Sequence, residues 1–183
     1  MGEIERCIDD EIPFDLPDCW AWVRLGTLCN FGDCESTESD NIAPDAWLLD
    51  LEDIEKDSGK LIQRKRKNEV KSLSSKHRFS AGHVLYSKLR PYLNKVIIAD
   101  EDGYCTSEIL PLNFGTTVNN RYAQVYLMSP FFVGYATQCS YGVKMPRLGT
   151  KDGRNALVPL PPISEQRRIA VCIDAVMPIL NSL

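Results

Sequence analysis

The order of apolar and polar positions predicts short strands first and helices later. The opening run IPFDLPDCWAWVRL, residues 12–25, carries two prolines that keep it extended. Trp20 and Trp22 flank one residue, so a strand here turns both to one side. Trp20, Trp22 and Trp47 are expected in the core. Residues 32–45 are a polar, acidic loop, 46–51 a short strand, and 52–59 a turn region. Three β-type runs follow at 83–89, 92–99 and 104–112, with Pro91 marking an edge or bend between the first two. The sequence DEDG at 100–103 turns the chain between the second and third. Together these predict an α+β fold: a twisted, curved, mostly antiparallel sheet with short helices and a C-terminal helical arm.

Helical signals begin at residue 120. Residues 120–128 read as one helix. Ser129 is a good N-cap with Pro130 at the first helical position, so a second helix is expected over 131–140 and ends near Gly142. The run 122–143 is uncharged, but polar residues, Pro130 and Gly142 interrupt it, which fits buried helix better than a bilayer span of about 20 apolar residues. Residues 144–155 read as a glycine-rich basic loop and 156–160 as a short strand closed by Pro161 and Pro162. Ser164 caps a last helix with Glu165 in its first turn. Ile169, Cys172, Ile173, Val176 and Leu180 recur at helical spacing, and Pro178 is expected to kink the helix. This stripe predicts a partner helix, with packing on its own domain as the alternative.

Charge sharpens this picture. The chain has 183 residues and a formal net charge of -4. The mean hides a polar distribution: residues 1–59 carry 3 Lys and Arg against 17 Asp and Glu, residues 60–95 carry 11 against one, and the rest is balanced. A basic block of this kind predicts an anionic partner at one face. The acidic N-terminal part is expected to face away from it. Seven cysteines without tight spacing do not form a disulfide framework, and no signal peptide is evident, so a reducing cytoplasm is expected.

Catalytic signatures are sparse. There is no phosphate loop, no H-E-x-x-H and no glycine fingerprint after a strand. DEDG lacks the ligands a calcium loop needs at positions 98 and 109, which hold isoleucines. Cys29 and Cys34 have no second pair for zinc. One loose pattern remains: Pro44-Asp45 with Glu69-Val70-Lys71 fits the P-D…(D/E)-x-K spacing of metal-dependent nucleases. A nuclease of this type, or a protein-interaction module with a basic face, are two readings these residues allow.

Four ordered stretches carry a resemblance: residues 12–25; GHVLYSKLRPYLNKV at 82–96; GYCTSEILPL at 103–112 with YLMSPFF at 126–132; and GVKMPRL at 142–148 leading to VPLPPISEQRRIA at 158–170. In this order they resemble the target-recognition domain of type I restriction-modification DNA specificity subunits, over nearly the whole chain. The resemblance implies sequence-specific binding of double-stranded DNA, one half of a bipartite target being read by residues 1–162. Residues 163–183 would begin a conserved coiled-coil helix. It implies no catalysis by the chain itself. S-adenosylmethionine, ATP and Mg are expected on partners: modification (methyltransferase) subunits and a restriction subunit. A second specificity domain or a second copy would supply the other half-site. An amino-methyltransferase needs [N/D/S]-P-P-[Y/F], but Pro161-Pro162 lies between Leu160 and Ile163.

Roles follow on that basis. Arg64, Lys65, Arg66, Lys67, Lys71, Lys76 and Arg78 are expected phosphate contacts, joined by Lys88 and Arg90 unless these serve the strand. Lys144, Arg147, Lys151, Arg154 and Asn155, among Gly142, Gly149 and Gly153, are the expected base readers, because Arg and Lys suit guanine and Asn suits adenine. Glu165, Gln166, Ile169, Ile173, Val176 and Leu180 are the expected partner-helix face.

Overall fold

A computed structural model describes residues 8–71 and 74–180, with side chains to Met177. Among the described residues there are ten strands and five α-helices, most strands preceding most helices. The strands are β1 (Ala21–Arg24), β2 (Ser36–Thr37), β3 (Trp47–Leu49), β4 (Lys65–Arg66), β5 (Lys76–Phe79), β6 (Val84–Ser87), β7 (Val96–Ile98), β8 (Gly103–Cys105), β9 (Ile109–Leu112) and β10 (Leu157–Leu160). The helices are α1 (Leu25–Leu28), α2 (Asn120–Leu127), α3 (Pro130–Gln138), α4 (Thr150–Asn155) and α5 (Ile163–Leu180).

The fold is α+β as expected, but the strands form three sheets, not one. A five-stranded sheet has the order β2-β5-β8-β3-β4, a three-stranded sheet β7-β6-β9, and a pair β1-β10. Pairing is antiparallel except between β3 and β8, which run parallel with Leu48 opposite Tyr104. The run 104–112 divides because a turn, Ile109 N–H to Thr106 carbonyl at 2.9 Å, breaks it. Its first half joins the large sheet and its second half the small one.

Side-chain alternation explains how the small sheet sits. Val84 and Tyr86 of β6, Val96 of β7, and Leu110 and Leu112 of β9 point into a core shared with α2 and α3. Leu85, Ile97 and Ile109 point the other way, into a second core with Trp47, Leu49, Phe79 and Cys105 of the large sheet. The central sheet is covered on both faces, which is why its strands read as unbroken apolar runs. Burial drives the thiol of Cys105 well above its ordinary range.

The starts of α2 and α3 are read correctly from sequence, whereas Ser164 lies inside α5, which begins at Ile163, and is not its cap. The Ser129 hydroxyl accepts from Phe132 N–H at 3.3 Å, with Pro130 at the first helical position. Asn119 caps α2 by accepting from the amides of Arg121 and Tyr122 at 3.0 and 3.1 Å. The tyrosines of α2 reach back to the pair β1-β10: Tyr126 donates to the Leu157 carbonyl at 2.7 Å, and Tyr122 to that of Pro159. Among the described residues no helix is long and apolar enough to cross a membrane.

Two expectations are corrected. Residues 150–155 are helix α4, not loop. Trp22 is half-buried, not core: it packs edge-on against the exposed Phe14, at 5.0 Å between centroids, and lies 6.0 Å from Phe131. Trp20 is also half-buried, while Trp47 is fully buried.

Candidate nucleic-acid interface

The basic block folds against acidic residues instead of standing apart from them. Arg64 contacts Asp100 at 2.6 Å and Glu101 at 3.1 Å, and its guanidinium lies 4.2 Å from the Trp47 ring centroid. Its hydrogen bonds hold the Asp100 carboxyl below the usual range. Lys65 sits between Glu52 at 2.5 Å and the buried Asp53 at 2.8 Å. Arg66 reaches Glu101 at 2.6 Å. Lys67 donates to the Ser39 hydroxyl at 2.6 Å. Lys76 is only 6% exposed, with Asp50 at 3.9 Å. Arg78 has a looser, exposed pairing with Glu35 at 3.6 Å, and Lys71 is exposed.

The acidic N-terminal part therefore does not face away from the basic block. Glu35, Asp50 and Glu52 lie beside it and the buried Asp53 beneath it, and Asp100 and Glu101 complete the neutralisation. β4 lies at the sheet edge next to β3, and its two cations, with Arg64 just before them, pair with acids of 52–53 and 100–101. The nuclease pattern has a similar resolution. The Glu69 carboxylate accepts from the Arg66 amide at 2.7 Å and closes a 3-10 turn over Lys67–Glu69. Among the described residues no group of three or more His, Cys, Asp and Glu could hold a metal ion. Burial raises Cys29 to about 12.

A second basic region is built differently. Lys88, Leu89 and Arg90 leave β6 and meet the chain again at 146–148. Arg90 N–H donates to the Pro146 carbonyl at 2.7 Å, and Leu148 N–H to that of Lys88 at 3.0 Å. Tyr141 and Arg147 exchange both backbone bonds, at 3.1 and 2.9 Å, and close a five-residue loop that starts at Gly142 with φ +99°. A left-handed turn of this kind favours glycine. The Arg90 guanidinium donates to the Lys144 carbonyl at 3.4 Å. Arg90 itself has φ 49°, uncommon for a residue with a side chain, and is held there by these bonds.

The five expected base readers divide into two groups. Arg147 is clamped by Glu108 through Nε at 3.0 Å and Nη2 at 2.7 Å. Arg154 donates to the Phe31 carbonyl at 2.8 Å and pairs with Asp33 at 2.6 Å. Lys144, Lys151 and Asn155 are exposed. The glycines of this region also have structural work. A Cβ on Gly153 would lie 2.1 Å from the Phe31 ring, and one on Gly26 2.7 Å from Arg154 Cβ. They let α1 and α4 approach closely. Signals for this were present, since spaced glycines also mark tight helix contacts, but sequence alone does not choose between backbone and DNA.

The arm α5 begins on the domain. Gln166 is buried: its amide oxygen accepts from Asn119 N–H at 2.8 Å and its nitrogen donates to the Pro161 carbonyl at 2.9 Å. It is a pin, not a partner-facing residue, which corrects the expectation. Glu165 pairs with Arg168 at 2.6 Å along the same helix. Ile169 packs on the core shared with α2. Arg121 of α2 meets Asp174 at 2.6 Å. Ile173 is half-buried and Val176 exposed, while the side chain of Leu180 lies outside the described residues. The backbone of α5 continues as helix through Pro178.

The two-core α+β body with a helical arm defines the class: it is the fold of type I restriction specificity subunits. The HsdS subunit from Thermoanaerobacter tengcongensis superposes with a TM-score of 0.78 at 24% identity, over 94% of this chain and 45% of that one. The S subunit of a type I restriction-modification system from M. genitalium gives 0.58 at 14%, over 92% and 42%. No protein-family model matches the chain. In sequence it is 30% identical to the type I restriction enzyme EcoDI specificity subunit of Escherichia coli over 168 residues, 92% of this chain and 37% of that protein. It is 28% identical to the EcoAI specificity subunit of the same organism, over 96% of this chain and 31% of the other. By sequence and fold, the chain is homologous to type I restriction enzyme specificity subunits over about one domain of them. It spans about a third of the length of these curated relatives.

Proposed function

We propose that this domain reads the sequence of one half of a bipartite DNA target, as the recognition domain of a type I restriction specificity protein. The likeness to the EcoDI specificity subunit along 92% of the chain carries this reading. The domain does no chemistry of its own. It holds double-stranded DNA for modification subunits that methylate adenine with S-adenosylmethionine, and a restriction subunit brings ATP and Mg. Residues 1–162 read DNA, and α5 starts the helix that meets either a second specificity domain or a second copy, through the exposed side of Val176. The protein works in the cytoplasm, where DNA is found.

Contacts are shared between the two basic regions. Lys88 and Arg90, beside the closed loop, are the principal phosphate anchors, with Lys71 and Arg78 outside it. Exposed ion pairs contribute about 0–1 kcal/mol, so Arg78 exchanges Glu35 for a phosphate at little cost. Arg64, Lys65, Arg66 and Lys76 mainly hold the large sheet to its acidic loops. Lys144, Lys151 and Asn155 face bases, while Arg147 and Arg154 set the platform that carries them. Binding of the assembled specificity protein to its duplex, titrated against salt, tests this. Affinity should fall steeply as salt rises, and less steeply after Lys88→Gln with Arg90→Gln. A flat salt response contradicts it.

A further inference from the structure

We infer that the loop closed by Tyr141 and Arg147 is a major-groove probe whose apolar tip, Val143 with Met145, recognises the 5-methyl group of thymine. This rests on the DNA-binding reading above.

The tip breaks the usual burial rule. Val143 is fully exposed, Tyr141 63% and Met145 44% exposed. Scattered apolar residues on a surface need no explanation, but three within five positions form a patch. A mobile loop would hide them by collapsing onto the body. This one cannot, because its backbone is tied down. Carbonyls of three consecutive residues face inward: Lys144 accepts from Arg90, Met145 from Arg147 Nη1 at 3.0 Å, and Pro146 from the Arg90 amide. The Arg147–Glu108 clamp then fixes Arg147 itself. The conformational entropy of the loop is lost during folding, not on binding, which is what preorganised recognition elements share.

The surroundings choose the occupant. Lys144 lies within the tip, and the Arg90 guanidinium sits under it. An apolar point between two cations suits a polyanion that offers an apolar group between its charges. Duplex DNA does so in its major groove, about 12 Å wide, where thymine alone presents a methyl group. Valine has no hydrogen-bonding group and a side chain stiff at χ1, so it can read nothing on a base edge except that methyl. The charged candidates of this region supply attraction, and the tip supplies discrimination at A·T pairs.

The test uses the full specificity protein assembled with its modification subunit, and duplexes carrying its methylated motif. Each thymine of the half-site is replaced singly by uracil, which removes only the methyl. At one position or two adjacent ones, uracil should weaken binding about fourfold, the worth of one buried methyl-sized group. Val143→Ala or Met145→Ala should lose a similar factor on the thymine duplex and become indifferent to uracil there, with an unchanged salt slope. Val143→Thr, of the same shape, should keep part of the uracil response. Variants that bind the motif and respond to uracil as the parent does overturn the inference alone, as does a half-site without an A·T pair. Absence of sequence-dependent binding by the parent overturns the DNA reading and this inference with it.

Discussion

Arg147 and Glu108 form a two-pronged ion pair, 3.0 Å at Nε and 2.7 Å at Nη2, that joins the base of the 141–147 loop to the end of the small sheet. Both side chains are partly exposed, 32% and 23%, so the pair stabilises modestly. Its effect is local. Glu108→Ala should leave global stability nearly unchanged. It should speed hydrogen exchange at the Tyr141 and Arg147 amides, whose bonds close the loop. Unchanged exchange at both amides would mean the backbone bonds hold the loop without the clamp.

Two glycines predict opposite outcomes. Gly153→Ala drives a methyl into the Phe31 ring, which is fully buried and cannot retreat. A loss of about 1–3 kcal/mol in urea unfolding is expected. Gly134 lies within α3 with nothing near its missing Cβ. Gly134→Ala should add about 0.5–1 kcal/mol by relieving the backbone entropy of glycine in a helix. Equal effects at the two sites would contradict the packing described.

Stability should also depend on pH through His83. Partial burial holds its imidazole below the ordinary value of 6.5, against a weak opposing pull from Asp102. The neutral ring accepts from Ser80 N–H at 3.4 Å through Nδ1. A lowered histidine means the unfolded chain takes up the proton more readily, so stability is full above about 6.5 and declines as pH falls from there towards the folded value. His83→Gln should flatten the decline in melting temperature between pH 7 and 5.5. An unchanged slope would assign it to other groups.

Much of this fold is legible in the sequence because local chemistry decides it. Ser129-Pro130 marks a helix start unaided, and the runs around Val84, Val96 and Ile109 are strands by composition. What is not legible depends on distant partners. The division of 104–112 between two sheets follows from β8 finding β3, more than fifty residues earlier, in parallel. The helicity of α4 depends on Phe31 and Gly26 packing on it, since TKDGRN is a weak helix former. The same holds for the site. Counting charges finds the basic block, but its acids come from 35–53 and 100–101, so the cancellation exists only after folding. Conversely, Val143 gives no signal in sequence, where an isolated valine beside glycine reads as ordinary, and becomes conspicuous only once its loop is tied down.

The central claim is that this domain chooses a DNA half-site. Transplanting residues 12–162 in place of the matching segment of the EcoDI specificity subunit, and mapping methylated adenines across a genome, tests it most directly. The account predicts a split motif in which one half is new and the other half remains that of the recipient. Methylation that continues at the recipient's full original motif would contradict it.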